Sequence, residues 1–181
     1  FLLGLIYQTR LTMRPDLLSL LFFTFYIYIL SVHLEKRISI FLLLIVQILW
    51  VNVHGFFIFG PMLVLLSIAS ELIKRRVRLP WQWNSTGRLT DQEFQRLKVL
   101  LVVSLLACLV NPQVLKGAFY PFVVLFQMAG ESRIFFDHIQ ELQKPITFAT
   151  LFTSSQPYYK TLILISFYSF FINRKNIDIS A

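Results

Sequence analysis

Four groups of residues in this chain have the types and spacing to do chemistry. Asp137 and Glu141 stand four apart, one helical turn, with His138 between them. Two carboxylates and an imidazole so placed can hold a divalent cation or exchange protons. Asp137, His138 and Glu141 are therefore the candidate metal ligands, and Glu141, Asp137 and His54 the candidate catalytic groups. Arg10 and Arg14 flank the start of an apolar run beside Pro15 and Asp16. A guanidinium pair there suits a phosphate, which it meets as a planar fork. Trp50-Val51-Asn52-Val53-His54-Gly55 is a polar knot between two apolar runs. Asn111, before Pro112, closes a later run. Arg14, Arg10, Asn52, His54 and Asn111 make the candidate substrate-binding set.

Each group also has a plainer reading. Arg10 and Arg14 can be snorkelling anchors. The Trp50–Gly55 knot can be an interfacial turn, with Trp in an aromatic belt and Gly permitting a tight reversal. Phe135, Ile139 and Leu142 fall on one helical stripe, with Asp137, Gln140, Glu141 and Lys144 opposite. That pattern describes an amphipathic helix lying in a membrane interface, whose charges can be nothing more than a solvated face.

The elements that must position these groups are membrane helices. The chain is 56% hydrophobic and 14% charged, with 19 Phe, which leaves too little charge to coat a soluble domain. The apolar runs are continuous, without the period-two alternation of barrel strands, so an all-α, polytopic transmembrane helix bundle is expected. Spans are expected over about 1–7, 17–32, 38–53, 56–73, 97–110 and 161–172. A 16-residue run reaches about 24 Å, short of the roughly 20 residues a bilayer needs, so flanking aromatics are expected to complete the ends. The stretch 74–96 reads as a polar loop and 111–160 as a region on the opposite side, all within one transmembrane domain. Phe1–Tyr7 reads as the tail of a span already begun, so the chain is expected to be an internal fragment.

Basic residues orient the helices. Lys36, Arg37, Lys74, Arg75, Arg76, Arg78, Arg88, Arg96, Lys98, Arg174 and Lys175 collect on one side. Arg10, Arg14, Lys116, Arg133, Lys144 and Lys160 are left for the other. The richer side is the cytoplasmic one, which puts the candidate chemistry at the outer face. The net charge of +8 is then a topology signal, and the expected partner is the lipid bilayer rather than nucleic acid. Asn84-Ser85-Thr86 matches a glycosylation acceptor but falls on the cytoplasmic side, where it reads as coincidence. Cys108 has no second cysteine to pair with and reads as a small buried hydrophobe. A transporter would carry ionisable groups near the bilayer midplane. Here Gln47 is the main polar residue inside a span, which argues against that class.

Four blocks occur in order: Arg14-Pro15-Asp16-Leu17-Leu18-Ser19, then Trp50–Gly55, then Asn111-Pro112 with Tyr120-Pro121-Phe122, then Ile139-Gln140-Glu141-Leu142-Gln143-Lys144-Pro145. Over roughly residues 10–150 the chain resembles a bacterial family of large polytopic membrane proteins similar to GT-C-type glycosyltransferases. The resemblance implies transfer of a sugar from a polyprenyl-phosphate donor at the outer face of the bacterial inner membrane. It implies a lipid-linked sugar as partner, a catalytic carboxylate upstream of Phe1, and Arg14, Asn52, His54 and Glu141 as walls of the site. A divalent metal ion is the cofactor the acidic residues would take. The alternative is a structural integral membrane protein without catalysis.

Overall fold

A computed structural model describes residues 15–129, 157–175 and 177–178 of the chain. Every element among them is helical: α1 (Pro15–Val32), α2 (Ile38–Val53), a 3-10 turn (Gly55–Ile58), α3 (Phe59–Arg76), α4 (Asp91–Ala107), α5 (Leu115–Ala129) and α6 (Pro157–Asn173). The chain divides into two compact units, Met13–Pro121 with Lys175–Ala181, and Phe1–Thr12 with Phe122–Arg174. The expected span over 1–7 and the amphipathic helix around Asp137–Glu141 lie outside the described residues.

Local signals set the helix ends in the first unit. Pro15 opens α1 with Asp16 in its first turn, where a fixed φ and a negative charge both suit a helix start. Between α1 and α2, Ser39 Oγ donates to the carbonyl of His33 and closes the turn. At the end of α2, His54 swings to φ −156°, ψ 147°, which stops the helix. The 3-10 turn then leads directly into α3, and Gly55–Arg76 forms one rod of 22 residues. Lys74, Arg75 and Arg76 occupy its last turn, the favourable place for cations at a helix C-terminus. A capping box starts α4: Glu93 N donates to Thr90 Oγ1 and Thr90 N to Glu93 Oε2. The helix therefore begins at Asp91, six residues ahead of the apolar run at Leu97.

α1 to α4 run up and down as a bundle. α1 packs on both α2 and α3, and α4 packs on both α2 and α3. The buried stripe of α2 is Ser39, Leu43, Gln47 and Trp50, and that of α4 is Leu97, Leu100, Ser104 and Ala107. Both follow helical spacing, so one side of each helix faces inward. Tyr26, Leu43, Trp50, Val64, Leu97 and Leu100 form the fully buried centre.

A polar node lies inside this centre. Gln47 accepts from Tyr26 Oη at 2.8 Å and donates to the Phe57 carbonyl at 3.1 Å and to Cys108 Sγ at 3.3 Å. Gly60 makes room for it. A Cβ there would fall 2.3 Å from Gln47 Oε1 and 3.0 Å from Tyr26 Cζ. Among the described residues no buried side-chain nitrogen or oxygen lacks a hydrogen-bond partner.

Polar side chains join the apolar ones inside, while many large apolar side chains lie outside. Ser19, Ser39, Gln47, Ser70, Glu71, Lys74 and Ser104 are buried. Meanwhile Leu21, Phe41, Ile45, Leu66, Val102 and Leu106 each expose more than half of their surface. Gly55–Arg76 is long and apolar enough to cross a membrane, whereas Asp16–Val32 and Ile38–Val53 are shorter apolar helices. In the second unit, α6 buries none of its residues; Leu164 and Phe167 are each 69% exposed.

Candidate functional site

The bundle has a histidine end and a basic end. At the histidine end, the start of α1 meets the end of α2. Trp50 Nε1 donates to Ser19 Oγ at 2.9 Å, and Ser19 Oγ stands 3.0 Å from His54 Nδ1. The indole can only donate, so it takes one lone pair of the hydroxyl. The hydroxyl keeps its own proton and a second lone pair for the 3.0 Å contact with His54 Nδ1. His54 is half-buried, while Ser19 and Trp50 are buried. The ring stacks edge-on against Phe56, centroids 4.6 Å apart, which fixes its plane. The product is an imidazole oriented by Ser19 on its Nδ1 side and by Phe56 across its plane.

Asn52 is committed differently. Its Nδ2 donates to the carbonyls of Ile48 and Val110, both at 2.8 Å, and so ties the end of α2 to the turn after α4. Both amide protons are used, which leaves Oδ1 as its remaining acceptor. Asn111 builds that turn. Its Nδ2 donates to the carbonyls of Cys108 at 2.8 Å and Val114 at 3.0 Å, and its Oδ1 accepts from Gln113 N at 2.9 Å. This clasp holds Val114 at φ +46°, a costly conformation for a β-branched residue. Gly117 is required beside it, because a Cβ there would lie 2.0 Å from Asn111 Oδ1.

Of the residues expected from sequence, His54, Asn52 and Asn111 stand at this one end. Asn52 and the 110–111 turn are in direct contact; His54 is joined instead to Ser19. Arg10, Arg14, Asp137, His138 and Glu141 lie outside the described residues. No cluster of three or more His, Cys, Asp or Glu with metal-binding geometry occurs among the described residues.

In the sequence, Ser19 stands only at the end of the Arg14–Ser19 block. Its signal is weak: one hydroxyl in the first turns of an apolar helix, opposite a Trp and a His on another segment.

The basic end carries a second polar constellation, whose basic members the sequence offers only as a signal of topology. Glu71 is buried; its Oε1 accepts from Arg75 Nε at 2.6 Å and its Oε2 from Leu89 N at 3.2 Å. Arg75 also reaches Asp91 at 2.7 Å and the Leu89 carbonyl at 3.1 Å. Lys74 is buried and pairs with Asp178, 104 positions along the chain, while donating to the Gly87 carbonyl at 3.2 Å. Asn84 donates to the carbonyls of Lys74 and Val77 and accepts from Leu79 N, each at 2.7 Å. Its amide is thus a fastening of the 77–90 loop, a structural reason for an Asn-Ser-Thr triplet there.

No family model matches this chain, and neither does a curated protein or a solved structure.

Proposed function

We propose that this chain is part of a multi-pass membrane protein of the bacterial inner membrane that handles a polyprenyl-phosphate-linked sugar at its histidine end, in the manner of a GT-C-type glycosyltransferase. The observation that carries the membrane part is the extent of exposed apolar surface. Leu, Ile, Val and Phe cover the outside of a bundle whose apolar centre also takes in Ser, Gln, Glu and Lys. An apolar surface of this extent is unfavourable in water and at home in lipid. The collection of Lys36, Lys74, Arg76, Arg78 and Arg88 around one end supports a cytoplasmic basic end and an outer histidine end.

The activity rests on the held imidazole. His54 Nε2 is fixed by Ser19 behind it and Phe56 beside it. From there it donates to an oxygen of the phosphate or sugar and stabilises charge that develops as the glycosidic bond breaks. Arg14 and Arg10 balance the leaving phosphate through their planar forks. Asp137 or Glu141 orients the acceptor, and these two with His138 have the chemistry to hold a divalent cation.

A structural role is the second reading, favoured by one observation: Asn52 and Asn111 both give their amide protons to backbone carbonyls. Sugar transfer from a labelled polyprenyl-phosphate donor, measured in membranes containing the full-length protein, separates the two. The enzyme reading expects transfer by the wild type and a loss of about a hundredfold in His54→Ala, the usual scale for deleting a donor to developing charge. Absence of transfer above empty membranes, or full activity in the variant, favours the structural reading.

A further inference from the structure

We propose that a cavity at the basic end holds the head group of a zwitterionic aminophospholipid, a lipid carrying both a phosphate and a primary ammonium. The cavity measures about 210 Å³ and lies between the end of α1, α3, the start of α4 and the 87–89 loop. That is below the ~300–1,000 Å³ of sites for drug-sized ligands, so it admits a head group and not a nucleotide or a whole lipid.

The lining is charged in a specific way. Arg88 is exposed and has no ion-pair partner among the described residues. Glu93 gives only Oε2 to the capping box, where it accepts from Thr90 N at 2.8 Å and Thr90 Oγ1 at 2.7 Å. Its Oε1 is left for another donor. Asp178 also lines the cavity, but its charge is balanced by Lys74. One cation and one anion therefore remain at the mouth. Together they match a ligand with one phosphate and one ammonium, whereas an ordinary anionic head group would meet Glu93 unopposed. Leu30, Leu34 and Leu97 supply an apolar wall for the first carbons beyond the phosphate.

The loop is also built for head-group depth. Trp81 is 57% exposed and held at φ +54°, with its ring 5.4 Å from that of Trp83. A bulky residue in that conformation is strained and persists only where the surroundings impose it. Exposed Trp pairs belong at the membrane–water boundary, which is the membrane setting proposed above and the one this inference rests on.

The test uses the full-length protein, purified in detergent and titrated with soluble glycerophosphoethanolamine, glycerophosphocholine and glycerophosphate. Saturable binding of the first is expected, at least about fivefold tighter than the other two, since one lacks N–H donors and the other lacks the cation. Arg88→Ala and Glu93→Gln should each weaken it about fivefold or more. Gln at position 93 keeps the capping box, so that variant retains its fold while losing the charge. Native mass spectrometry should find an ethanolamine lipid retained by the wild type and lost from both variants. Equal binding of the three probes, no saturable binding, or unchanged variants would overturn the proposal. Binding of the free head group without lipid retention would also overturn it, in favour of a soluble phosphoamine. Recovery of the protein outside the membrane fraction would instead sink the membrane reading, which the soluble probes do not depend on.

Discussion

Ser19 and His54 lie 35 positions apart in the chain, and their side chains stand 3.0 Å apart across the top of α1 and α2. The hydroxyl also carries the indole proton of Trp50, which is fully buried. Ser19→Ala leaves that N–H without an acceptor, a loss of about 1–3 kcal/mol. His54→Ala removes a half-exposed ring and should cost less. Thermal unfolding in detergent should therefore rank Ser19→Ala as the less stable variant, while sugar transfer should rank His54→Ala as the less active. The reverse order on both scales would mean that His54 is a packing residue.

Ile45 sits midway along α2 and is 56% exposed. In water, a lysine there would be harmless. Facing lipid, it costs roughly 2.5–3.5 kcal/mol of insertion free energy. Ile45→Lys should shift the protein from the carbonate-resistant membrane fraction to the extractable one, whereas Gln113→Lys, in the turn after α4, should not. Equal fractionation of the two variants would count against the membrane setting.

Gly60 has no spare space. Gly60→Ala pushes a methyl group against Gln47 Oε1 and the Tyr26 ring. Overpacking of this kind costs about 1–3 kcal/mol. Because the clash falls on the Gln47 node, Gln47→Ala should relieve most of it. A double-mutant cycle on unfolding temperatures would show a coupling of that sign, and simple additivity would refute the contact.

Lys74 and Asp178 form an ion pair with the lysine side chain fully buried and the aspartate 27% exposed. Asp178→Ala removes the carboxylate that meets the buried Lys74 ammonium, a loss of about 3–5 kcal/mol for a buried pair broken from one side. Lys74→Met in the Asp178→Ala background should recover much of it, since it removes the second charge of the pair as well. Failure of that rescue, measured by thermal unfolding, would mean that the segment after α6 does not hold the 77–90 loop through this pair.

Helix placement was legible where one signal dominated. Ile38–Val53 was bounded by a charged turn before it and by Asn52–Gly55 after it, and α2 has those same limits. The start of α4 was missed because hydropathy alone was followed. Thr90 and Glu93 carry a capping box six residues upstream of the apolar run, and that local bond pattern decides where the helix begins. The site was half legible. His54 and Asn52 stood out as polar residues between apolar runs, but their partners Ser19 and Val110 did not, because a side chain's bonding across a bundle leaves no mark in local spacing. The basic end shows the same limit more sharply. Glu71, Lys74 and Arg75 read as a charged helix end, and nothing near them in the chain pointed to Asp178.

The bond between Lys74 and Asp178 also imposes an order in time. At a synthesis rate of about 5–20 residues per second, the 104 positions from Lys74 to Asp178 take about 5–20 s to emerge. During that interval Lys74 has no Asp178 to meet, and Gly87, at φ +60°, faces an unfilled space where the carboxylate will lie. Closure of that space requires that α6 and the segment after it have been made, so a bond that fastens the 77–90 loop depends on residues synthesised long after that loop.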